Sequence, residues 1–187
     1  EQDALRYTFE SQLKGDDKTH YYVNLESVSA DALPVFLTQN EFMRRMKEMS
    51  AHQQGMSFYG QMPDQYTMVI NTAHPKVTAL LQSIREAEGT ELNDLRAQLT
   101  QAEAAEQAVK DKADSAKTDD EKEAQREAED EAVKATAAVR NDIKKRYAEL
   151  AEQNEQVHQL IDIALLASGL LKGEALAKFV HRSVSLL

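Results

Sequence analysis

Residues 20–50 read HYYVNLESVSADALPVFLTQNEFMRRMKEMS, and a change of period inside this stretch sets the fold class. In residues 20–28, Tyr22, Asn24 and Glu26 alternate with Tyr21, Val23 and Leu25, a period of two built from strand-forming residues. Ser29, Ala30, Asp31 and Ala32 make a turn, and residues 33–38 (LPVFLT) read as the returning strand, with Pro34 at an edge or first position because it cannot donate to a ladder. The two strands are expected to form a hairpin. After residue 38 the period becomes helical: Phe42, Met46 and Met49 recur at i, i+4 and i+7, with Met43 and Ser50 flanking them. Thr38 and Glu41 have the spacing of a capping box that would start this helix.

Five of the six methionines lie at 43, 46, 49, 56 and 62. Gly55 and Gly60 frame a loop that still carries Met56, Phe58 and Tyr59. A face of Phe42, Met43, Met46, Met49, Met56, Phe58 and Tyr59 suits apolar partners of many shapes, because the thioether chain repacks around each. The same spacing fits the core face of an ordinary amphipathic helix. A membrane-surface role through Arg44, Arg45 and Lys47 is opposed by the formal charge of −10.

Working outward, residues 4–13 place Leu5, Phe9 and Leu13 on one helical face before Gly15. Residues 66–71 (YTMVIN) read as a third, buried strand. His74-Pro75 then opens a helix whose stripe is Val77, Leu80, Leu81 and Ile84. Residues 1–89 therefore read as an α+β unit, a small three-stranded sheet with packed helices.

Between Thr90 and Arg146 there is no Gly, Pro or aromatic residue, and Ala, Glu, Lys and Gln dominate. Leu92, Leu95, Leu99, Ala102 and Val109 form one seam of roughly 3.5-residue spacing. Val133, Ala137, Ile143, Tyr147 and Leu150 are expected to form a second. The register lapses at residues 114–120, where Thr118 and Glu121 have capping-box spacing, so residues 90–152 read as a charged helical hairpin inserted as an arm. Residues 153–187 read as a continuing helix, a joint bracketed by Gly169 and Gly173, and a last helix. Their apolar positions include Ile161, Leu165, Leu166, Leu170, Leu176, Phe179, Val180, Val184 and Leu187. So apolar a pair either folds back onto its own sheet or meets a second copy in a four-helix dimer bundle.

The blocks TQNEFMRRMKEM (38–49), GMSFYGQMP (55–63), YTMVINTAHPKV (66–77) and LIDIALLASGLLKGEALAKFVHRSVSLL (160–187) resemble, in order, the C-terminal domain of the 90-kDa heat-shock chaperone family in its bacterial form. The resemblance covers residues 7–87 and 158–187. It implies a homodimer through the last two helices, contact of the Met-rich helix with unfolded or partly folded client proteins, and a cytoplasmic location. It places ATP and magnesium in other domains of the parent chaperone, so no cofactor and no ATPase activity are expected here. The arm departs from the family's usual shorter crossing, and no role transfers to it. The acidic Met-Glu-Glu-Val-Asp tail of eukaryotic members is missing, so no tail-reading co-chaperones are expected. The chain begins at Glu1 rather than Met, so it is expected to be a fragment of a longer protein.

The residues themselves offer no catalytic constellation. His20, His52, His74, His158 and His181 are scattered without metal-ligand spacing, and no phosphate-cradling glycine motif occurs. Nucleic acid is not an expected partner of so acidic a chain, and the longest apolar run is too short to span a membrane. Cysteine is absent, so no disulfide framework exists. A coiled-coil scaffold, with the methionines as mere core, is the reading from another functional class.

Overall fold

In the computed structural model, residues 2–50, 62–113 and 119–185 are described. They contain seven helices and one three-stranded mixed sheet, an α+β architecture. The elements run α1 (Gln2–Gln12), β1 (Thr19–Glu26), β2 (Val35–Gln39), α2 (Glu41–Ser50), β3 (Asp64–Asn71), α3 (Pro75–Ala87), α4 (Gly89–Ala113), α5 (Asp119–Glu152), α6 (Glu155–Ala167) and α7 (Gly173–Ser185). The chain divides into two compact units, Glu1–Ile84 with Ala151–Leu187, and Arg85–Leu150.

The sheet of the first unit corrects the hairpin expectation. Its order is β1-β3-β2, so β1 and β2 never pair. β3 lies between them, parallel to β1 (Val23 opposite Met68) and antiparallel to β2 (Leu37 opposite Met68). The connection over residues 27–34 therefore crosses the end of β3, and Asn71 holds it there. Its side chain is fully buried; Oδ1 accepts from the backbone N–H of Val28 and of Ala73 (both 3.2 Å), and Nδ2 donates to Ser29 O (2.5 Å). Backbone bonds from Asn71 to Pro34 O (2.9 Å) and from Thr72 to Glu26 O (2.8 Å) complete the crossing. Two strand spacings are about 10 Å, which eight residues span easily and a tight two-residue turn does not.

Residues opposite one another share a face, so Val35, Met68 and Ile70 lie on one side of the sheet, all nearly inaccessible. This side is the core. α1 lies along β1 and contributes Leu5 and Phe9, while α6 lies along β2 and contributes Val157, Leu160, Ile161 and Ala164. α3 buries Val77, Leu80 and Ile84. Tyr21 and Tyr66 stack at the far end of the same face, with ring centroids 5.9 Å apart. Tyr22, half exposed, lies on the opposite face, where Val69 of the central strand is nonetheless buried.

In the second unit, α4 and α5 form an antiparallel pair. Residues 92, 95, 99, 102, 106 and 109 of α4 are its less exposed positions, the expected seam with Glu106 added. On α5 the seam runs through residues 125, 129, 132, 136, 139, 143, 146, 147 and 150, with Ile143, Tyr147 and Leu150 as expected. Val133 and Ala137, expected in it, are exposed, because a strict alternation of three and four counted back from Ile143 passes through Thr136 and Val139. Gln125 donates to Val109 O, and Arg140 meets Glu103 at 2.7 Å across the pair. The expected turn at residues 115–118 lies outside the described residues.

A polar cluster lies near one end of this pair. Tyr147 Oη donates to Glu88 Oε1 (2.7 Å), and Arg96 Nη2 donates to the same oxygen (2.7 Å) and to Tyr147 Oη (2.5 Å). Burial disfavours the Glu88 carboxylate, but these donors and the Arg96 charge outweigh burial and hold its pKa below 4.5. Gly89, with φ of 65°, supplies the left-handed residue between α3 and α4. The helix was also expected to run unbroken past residue 152. Instead Asn154 ends one helix and caps the next, its Oδ1 accepting from Gln156 (3.1 Å) and Val157 (3.3 Å).

Asn71→Ala leaves buried backbone donors and an acceptor of the crossing without partners, and the expected cost is about 2–4 kcal/mol in urea unfolding. Because the folded pKa of Glu88 is depressed, its contribution is complete above the ordinary value of 4.5 and is lost as pH falls through the folded value. Glu88→Gln should lower thermal stability at pH 7 and flatten its dependence on pH below 4.5, read by circular dichroism.

Candidate functional site

α2 begins where β2 ends, and Asn40 rather than Thr38 starts it. Asn40 Oδ1 accepts from Phe42 N (3.0 Å) and Met43 N (3.3 Å), whereas Thr38 remains in β2 and donates to Thr67 O (3.3 Å). The capping-box spacing is therefore not used. Glu41 instead binds Arg44 and Arg45, each at 2.8 Å, and these hydrogen bonds, Arg44 foremost, hold its carboxyl down to about 2. Lys47 reaches Asp64 at the start of β3 (2.8 Å). All three cations of the helix are thus engaged with carboxylates of their own unit.

The apolar face has no comparable engagement. No residue of α2 is buried. Phe42 is 60% exposed and Met49 42%, with Met43 and Met46 half-buried. Met56, Phe58 and Tyr59 lie outside the described residues.

The second uncovered surface belongs to α6 and α7. Ile161, expected at a dimer contact, points into its own core at 5% exposure, because β2 takes that face of α6. Leu165, Leu170, Leu176 and Phe179 are half-buried. Leu166 is 42% exposed, and on α7 Val180 and Val184 are 51% and 63% exposed. Residues 173–184 of α7 include no buried one, although Arg182 binds Asp162 and so ties the two helices together. Ala177, Val180, His181 and Val184 line a shallow open depression. Leu187 lies outside the described residues. Sequence periodicity marked the apolar positions of both helices; it did not separate the inward Ile161 from the outward Leu166.

Among the described residues, no group of three or more His, Asp or Glu side chains could hold a metal ion, and no helix is long and apolar enough to cross a membrane. Replacing both Phe42 and Met49 with Asp should leave the melting temperature within about 2 °C of the parent chain, since exposed positions change stability little. A fall of 8 °C or more in differential scanning calorimetry would place these side chains in a core.

No family model and no solved structure matches the chain. Curated relatives do. The chaperone protein HtpG of Porphyromonas gingivalis is 40% identical over 187 residues, all of this chain and 27% of its own length. The HtpG chaperones of Bacteroides thetaiotaomicron and Bacteroides fragilis are each 36% identical over 186 residues, again 27% of their length. The matches run through the α4–α5 pair as well as the sheet, so the inserted helices are shared with these relatives. The chain spans just 27% of the relatives it matches, their C-terminal part. Over its whole length the chain is similar to HtpG chaperones, and it corresponds to the C-terminal part of those relatives.

Proposed function

We propose that this chain is the dimerisation and client-contact region of an ATP-dependent chaperone. In this reading the last turn of α6, with Leu166, and the exposed side of α7 pair with a second copy, and α2 offers Phe42, Met43, Met46 and Met49 to unfolded or partly folded proteins. ATP and magnesium act elsewhere in the full-length chaperone, and the work is done in the cytoplasm. The observation that carries the reading is that α2, and α7 over residues 173–184, form with no fully buried residue in a chain related to chaperones.

The physical roles differ. At α7, Val180 and Val184 present branched side chains with little freedom to lose, suited to one fixed partner. Covering each fully is worth about 1.5–3 kcal/mol, and two-fold symmetry doubles every contact. At α2, unbranched methionines beside one phenylalanine adapt to many surfaces, with weak binding to each. Dimerisation keeps two such surfaces close together, so a client held by one copy meets the other at raised effective concentration.

Light scattering after size exclusion tests the reading. The expected mass is near twice 21.0 kDa for the parent chain, and near 21.0 kDa for Leu166→Glu, which places a charge on the outward face of α6. A monomeric parent chain would remove the dimer from the proposal.

A further inference from the structure

A cleft of about 510 Å3 opens in the first unit between the start of β2, the start of α3 and the outer side of α6. It is separate from the α2 surface. Pro34, Ala79, Leu160 and Ile163 make it largely apolar, and Ile163 is 37% exposed there. A volume of this size, with apolar walls and a few polar groups, is typical of a binding cleft.

The polar groups have a consistent character. Nδ1 of His74 accepts the backbone N–H of Lys76 (3.1 Å), which leaves Nε2 as the hydrogen-bearing nitrogen of the neutral ring. The Lys76 ammonium has no carboxylate partner among the described residues. Gln156 and Gln159, three residues apart on α6, offer two side-chain amides that make no hydrogen bond among the described residues. No Asp or Glu lines the cleft, although the chain as a whole has a formal charge of −10. A cationic, amide-lined cleft with apolar walls therefore lies in an acidic protein.

We propose that this cleft binds an extended peptide segment in which an apolar side chain stands next to an Asp or Glu. The apolar side chain covers Leu160 and Ile163. The carboxylate meets the Lys76 ammonium, with the His74 Nε2–H as second donor. Gln156 and Gln159 each present a donor and an acceptor to the peptide backbone, which an extended segment matches and a helix, with its amides already bonded, does not. Charge complementarity selects the acidic segment: a basic one would meet Lys76 with no compensating carboxylate.

Fluorescence anisotropy with the 187-residue chain and short labelled peptides, blocked at both ends, tests this. One peptide alternates Leu and Asp; the other has Asn for each Asp. The expected result is binding of the Asp peptide about tenfold tighter than the Asn peptide at low salt, a preference abolished by Lys76→Glu. Gln159→Ala should weaken both peptides, and the Phe42→Asp, Met49→Asp double variant should leave the preference for the Asp peptide over the Asn peptide unchanged. Equal affinity for the two peptides, or no effect of Lys76→Glu, overturns the proposal. So does loss of binding only in the α2 variant, which would assign the peptide to that helix. Light scattering on Lys76→Glu provides the remaining arm: an unchanged mass is expected, and a halved mass would make the cleft an interface between copies and overturn peptide binding.

Discussion

The buried Asn71 side chain is the interaction on which the sheet depends. A strand inserted between two that precede it in sequence requires the earlier connection to pass over its end, and that places backbone amides where no ladder partner exists. Asn71 supplies both a donor and an acceptor at that point, binding Val28, Ser29 and Ala73 from one side chain. An apolar residue there would leave those groups unpaired, and an Asp would lack the donor for Ser29 O. With the crossing held, β3 becomes the central strand, Met68 and Ile70 are buried, and α1 and α6 lie along the strands that flank it.

That core consumes the apolar faces of three helices and leaves two others uncovered. α2 is held by local means, an Asn40 cap and carboxylate–guanidinium pairs, and by one tie from Lys47 to Asp64. Such exposed pairs are individually weak, but they act within one or two turns and leave the apolar face free. α7 is tied at Arg182 to Asp162, while Val180 and Val184 stay open. Burial pushes the Asp162 carboxyl up and Arg182 opposes the shift, so this tie lies in a partly desolvated place, where pairing matters more than at the surface. Helices formed this way are available for partners without unfolding anything.

The α4–α5 pair follows a different logic. Its seam is thin in large side chains and includes Glu106 and Thr136, which interact with each other; Lys110 also pairs with Glu106 (2.6 Å). Polar groups at seam positions weaken the pair but fix its register, because any slip leaves them buried without partners. The Glu88–Arg96–Tyr147 cluster adds the same constraint at one end.

Much of this was legible in the residues. Element types followed from period alone: the alternation around Tyr21–Glu26, the apolar run at Met68–Ile70, and the long Gly-free helical stretch. The family blocks identified the relationship, and the α4 seam was read in its correct register. The misreadings share one cause. Strand order depends on which groups the crossing can satisfy, and Asn71 lies 43 residues from the Val28 amide it binds. The α5 seam holds at Ile143, Tyr147 and Leu150 but departs from Val133 and Ala137, because alanine-rich helices offer several nearly equivalent stripes and only the facing helix selects among them. Thr38 yielded the cap to Asn40 because β3 held Thr38 in the ladder. Periodicity finds the apolar positions of a helix, as on α6, but which of them face inward was decided by where β2 came to lie.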